Sequence, residues 1–162
     1  MRNKKTVLIS FLIVLAFVLC AFFVVLVLYH PNKDKPPTLE ADTNAQDYEG
    51  NQDLPTKKEE TKQIAIPGLE SLVFIANQTE QKVNFFNPKE NDCLFKLTLI
   101  VDGEGIWQSG YIEPNKGYYT ITLDQTLEVG EYDASLLYEC FKSDGQTLNS
   151  ANVQFPLYVQ EE

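Results

Sequence analysis

Two cysteines, Cys93 and Cys140, are the residues of the C-terminal hundred whose chemistry stands out. Strand alternation places both on the inward face of their runs, which leaves two readings open: a disulfide, or two separate buried thiols acting as small hydrophobes. A disulfide would close a loop of about 47 residues and stabilise the chain by about 3–4 kcal/mol in the entropy model. A cysteine nucleophile needs a base beside it, and the only histidine, His30, lies far away in the sequence. Two cysteines and a distant histidine also make too few ligands for zinc. The run Asp102-Gly103-Glu104-Gly105 has two carboxylates but lacks the ligand count of a calcium loop, and reads as a hairpin turn. Neither a nucleophile elbow, nor a phosphate loop, nor a zinc-protease motif occurs. The sequence therefore predicts no enzyme, no metal and no cofactor. Asn77-Gln78-Thr79 is a glycosylation sequon, meaningful only in a secretory eukaryotic host.

Charge narrows the partners. The chain has 162 residues with 13 Lys+Arg against 23 Asp+Glu, a formal charge of −10. Residues 1–6 are basic, through Arg2, Lys4 and Lys5, whereas residues 63–162 carry only Lys82, Lys89, Lys96, Lys116 and Lys142 among 15 acids. Binding to phosphate backbones depends on clustered cations, so nucleic acid is excluded as an expected partner. A cationic partner stays open, next to the plainer reading of a soluble acidic surface.

Val7 to Leu28 is an uncharged run of 22 residues without Pro or Gly. At about 1.5 Å per residue it spans about 33 Å, enough for a hydrocarbon core of about 30 Å. The basic residues before it predict an N-terminus in the cytoplasm and a chain outside the membrane after Tyr29. A cleaved signal peptide competes with this anchor, but the run is long and no small-residue cleavage site follows it. Lipidation at Cys20 competes too, against Leu19 before it and further apolar residues after it. Residues 29–62, the expected flexible acidic stalk, hold four Pro, few large apolar side chains and, beyond Tyr29 at the membrane end, a single aromatic.

From residue 63 onward the dominant period is two. Leu72–Ala76, Val83–Asn87, Cys93–Val101, Tyr119–Leu123, Tyr132–Cys140 and Val153–Val159 alternate apolar and polar side chains. Turn residues fall between them, at Asp102-Gly103, Pro114-Asn115 and Ser143-Asp144-Gly145. Seven or eight short antiparallel strands in a two-sheet sandwich follow from this pattern, with no helix in the head. Pro156 in the last run predicts an edge strand. Phe86, Trp107, Tyr118 and Tyr158 fall where alternation leaves the face uncertain or outward, which makes them candidate contact aromatics.

Leu127-Glu128-Val129-Gly130-Glu131-Tyr132 resembles the L-x-x-G-x-Y run at the corner of immunoglobulin-like sandwiches, and Trp107 follows Cys93 at a similar interval to that of such domains. Cys140 lies eight residues after Tyr132 rather than two, so the head resembles a bacterial-type immunoglobulin-like domain rather than an antibody domain. Leu127, Gly130 and Tyr132 would form its structural corner. With the basic tip (1–6), membrane helix (7–28), stalk (29–62) and head (63–162), the chain resembles small membrane-anchored surface proteins of Gram-positive bacteria. That resemblance implies a single-pass, non-enzymatic module outside the cell. It would act by protein–protein contact, as an accessory to a cell-envelope, secretion or conjugation apparatus. An extracytoplasmic peptidase inhibitor or chaperone-like protein is the alternative, and a carbohydrate-binding head a third.

Overall fold

The computed structural model describes residues 39–52 and 64–162, which form an all-β structure of two sheets. The expected cytoplasmic tip (1–6), membrane helix (7–28) and the remaining stalk (29–38 and 53–62) lie outside the described residues. The strands are β1 (Gln46–Asp47), β2 (Leu72–Ile75), β3 (Glu80–Asn87), β4 (Leu94–Val101), β5 (Glu104–Gln108), β6 (Lys116–Thr122), β7 (Gly130–Phe141) and β8 (Thr147–Gln160). The smaller sheet has the order β1-β6-β3 and the larger one β2-β8-β7-β4-β5. All pairs are antiparallel except β2 with β8, which is parallel.

Alternation explains the layering. β4 alternates buried and half-buried residues along its whole length, sending Phe95, Leu97, Leu99 and Val101 inward. Leu136, Tyr138 and Cys140 of β7 and Phe155, Leu157 and Val159 of β8 lie on the same face. Val83, Phe85, Tyr118 and Ile121 from the smaller sheet complete one apolar cluster with them. Trp107 on β5 sits between the layers, edge-on to Tyr118 and tilted against Phe85. Each face holds residues that are apolar and β-branched or aromatic, so the same pattern that forms the strands also drives the sheets together.

The connections follow local chemistry. Asp102 and Gly103 have positive φ (49° and 85°), the two-residue turn that matches the twist of a β4–β5 hairpin. Gly117 leaves room for the Phe85 carbonyl, which a side chain there would meet, so β6 lies close on β3. Asn87, fully buried, donates to the carbonyls of Cys93 and Ile112 and accepts from Asn91. Asn91 in turn holds the backbone of Ala65 through two hydrogen bonds. This polar network fixes the turn into β4 and the start of the head.

Two expectations need correcting. Residues 39–52 were expected in a free stalk, yet they lie along the smaller sheet: β1 pairs with β6, Ala41 bridges to Tyr111, and Tyr48 is buried. The physical reason is Tyr48 itself, the aromatic of that segment, which stacks on Phe86 and gives the strand something to bury. β8 was expected at an edge, but β2 covers Leu157–Gln160. The edge reading holds only for Thr147–Pro156, beside which no described strand pairs.

Candidate functional site

Backbone direction along β7 and β8 sets up the site. The amide of Asp102 donates to the Asp133 carbonyl at 2.8 Å, and the Asp133 amide donates to the Asp102 carboxylate at 3.2 Å. Both backbone polar groups of Asp133 thus point toward β4, and neither toward Pro156, which lies opposite it on β8. By alternation, the odd residues of β8 pair with β7 while Ser150, Asn152, Gln154 and Pro156 turn their backbone groups the other way. Gln160, in the same phase, accepts from the Ala76 amide on the β2 side, which agrees. Pro156 therefore has its missing N–H at the open edge, where it loses no ladder bond.

The fold partly covers the two edge strands of the larger sheet, β2 and β5. The Gln81 side chain, 3% exposed, takes the place of a neighbouring strand beside β2: it accepts from the Ile75 amide and donates to the Ile75 carbonyl. The Asp124 amide caps the Ile106 carbonyl on β5. Beside Ser150, Asn152 and Gln154 no described residue plays this part. The ten residues from Thr147 to Pro156 are about 30 Å of strand, one side of which pairs with no other strand among the described residues. Natural edge strands are usually protected by charges, and the whole of β8 contains none. Along the same edge Ala151 and Val153 are only half-buried, because the core below them thins out.

A groove of about 680 Å³ opens on the outer face beside this edge. Ser135, a small residue between Ile100 and Gln154 in register, forms its floor. Asp133 and Pro156 close one end and Asn152 flanks the other. Backbone groups for strand pairing and a pocket for a side chain are thus adjacent, the two parts that recognition of an extended segment needs.

A second cluster clamps the N-terminal segment. The Asp42 carboxylate accepts from the Tyr118 hydroxyl and from the amides of Gly110 and Asn44. Burial alone would raise its pKa, but these donors outweigh burial and hold the carboxyl below its usual value. The Tyr118 hydroxyl is pushed upward, by burial first and by Asp42 second. A cleft of about 370 Å³ lies beside this pair, bordered by Trp107, Gln108 and Thr120. With the Asp42 carboxylate already accepting from three donors that hold the chain, the cluster is a structural clamp.

Of the residues singled out in the sequence, Cys93 and Cys140 come together as free, buried thiols, each close enough to influence the ionisation of the other. Burial raises both, Cys140 to about 12, so neither is a ready nucleophile. Tyr132 donates from its hydroxyl to the Glu128 carbonyl at 3.0 Å, with Gly130 beneath its ring, and the Leu127 carbonyl accepts from Asn77. Asn77 sits exposed at a turn with φ 60°. The contact-aromatic expectation is corrected for three of four: Phe86, Trp107 and Tyr118 are buried, because Tyr48 and the opposite sheet cover them. Tyr158 stays exposed on the outer face. Among the described residues no group of three or more His, Cys, Asp and Glu side chains is placed to hold a metal. Sequence reading missed Asp42, Tyr48 and Gln81; the lone aromatic in a polar segment was the signal for Tyr48. No protein-family model, curated protein or solved structure matches this chain.

Proposed function

We propose that this protein is a non-enzymatic contact module, held outside a membrane by residues 7–28, that binds another protein by strand addition to β8. The uncharged run behind Arg2, Lys4 and Lys5 supports the anchor and its direction. The Tyr132 hydrogen bond to Glu128 supports an immunoglobulin-like corner in the head. The observation that carries the function is the contrast within the larger sheet: Gln81 and Asp124 partly cover β2 and β5, whereas among the described residues nothing covers the uncharged edge at Ser150, Asn152 and Gln154. A partner tethered to the same surface would meet it at raised effective concentration, so a modest affinity suffices. The β4–β5 turn, only two residues long, gives little to insert into a protease cleft, which favours a chaperone-like holder over an inhibitor as the second reading.

A photo-crosslinking residue at Asn152, in intact cells producing the full chain, tests this. The expected result is one discrete adduct from position 152 and none from Tyr119, an exposed position on the other sheet. Equal adducts from both positions, or none from 152, would overturn the reading.

A further inference from the structure

We propose that the segment added to β8 carries a Lys or Arg beside Pro156, its aliphatic stem lying in the groove and its cation against Asp133. This rests on the reading of β8 as the contact edge and adds the chemistry of the partner.

Charge along the larger sheet is uneven. Lys96 and Lys142 lie at the end where Leu94 meets Phe141, and Lys96 stands opposite Glu139. The other end, where β4 turns into β5 and β8 finishes, carries Asp102, Glu104, Glu131, Asp133, Glu161 and Glu162 without a lysine. Asp133 has Asp102 on one side and Pro156 on the other, and makes no ion pair among the described residues.

Geometry selects the position. A strand added to β8 lies about 4.8 Å from it, and β7 about the same distance beyond, so a side chain must cross β8 to reach Asp133. Most residues of β8 would obstruct that path, but Pro156 presents a flat, short ring at the end of the groove. Long basic side chains lay their methylene stems along apolar surface and keep the charged head at a polar site. Pro156 supplies that surface, in register with Asp133, which supplies the site. A second copy of this chain fits less well. It would bring a net charge of −10 against another −10, and its own β8 contains no cation to offer.

The test uses the full chain in detergent micelles and three ten-residue peptides of alternating Thr and Val, alike except for a central Arg, Gln or Glu. The Arg peptide is expected to protect the Ser150, Asn152 and Gln154 amides from hydrogen exchange. It should bind about tenfold more tightly than the Glu peptide, a difference of about 1.4 kcal/mol. Asp133→Asn should abolish that preference while the amides stay protected. Equal binding of all three peptides would overturn the cation proposal and leave the open edge standing. Absence of protection by any peptide would overturn both. Protection that grows with protein concentration alone would mean pairing between copies, and would overturn the proposal as well.

Discussion

Tyr48 lies flat on Phe86, ring centroids 4.0 Å apart and 7° from parallel, although 38 residues of sequence separate them. Tyr119 also stacks with Tyr48, ring centroids 5.7 Å apart, and its hydroxyl accepts from the Glu49 amide. The ring therefore fastens the N-terminal segment to the smaller sheet.

Tyr48→Ala should lower the unfolding free energy by about 3 kcal/mol, the usual size for losing a buried aromatic. Gln46→Ala, an exposed change two residues earlier, should stay within about 0.5 kcal/mol. Denaturant titration checks both. A Tyr48 variant as stable as the parent would mean that the segment is a free tether after all.

The Asp42 clamp predicts a pH dependence. Its carboxyl titrates lower in the folded chain than the ordinary value of 3.8, so the stability it contributes is present above that value. That contribution is lost as pH falls through the lowered folded value. The Gly110 amide resonance should report this titration. Tyr118→Phe removes one donor and should move the midpoint upward, at a cost of about 1–2 kcal/mol.

The thiol pair predicts the opposite limb. Cys140 is raised by burial and by Cys93, from 9.0 to about 12. The folded state favours the protonated thiol, so its contribution is full below about 9 and falls as pH rises toward 12. Alkylation at pH 8 should be slow in the native state and fast in denaturant. Rapid native alkylation of both cysteines would contradict their burial.

Much of this was legible in the residues. Alternation in β4, β7 and the end of β8 gave the inward faces, because side chains in a strand alternate whatever their surroundings. Asp102-Gly103 marked its hairpin because few other residues accept positive φ. Long-range pairing was not legible. That β2 runs parallel to β8, so that Pro156 falls just before the covered stretch, depends on residues about 85 apart. Gln81 reads as one more polar residue in a strand until its amide is seen replacing a missing neighbour of Ile75. The burial of Phe86 and Tyr118 could not be read from their own strands, since segments distant in sequence cover them.

Asn152→Pro should leave stability within about 1 kcal/mol of the parent, since its N–H points to the open edge as the ring nitrogen of Pro156 does. Val153→Pro removes a bond to β7 and should cost about 3 kcal/mol or more. Thermal unfolding of the two variants distinguishes them, and equal destabilisation would refute the assigned phase of β8.

Hydrogen exchange of the ligand-free full chain, read residue by residue along β8, bears most directly on the open edge. The amides of Ala151, Val153 and Phe155 should exchange on the order of a hundredfold more slowly than those of Ser150, Asn152 and Gln154, since only the first set is bonded to β7. Uniform protection along 150–155 would mean that the edge is already occupied, and the account of β8 as a contact strand would fail.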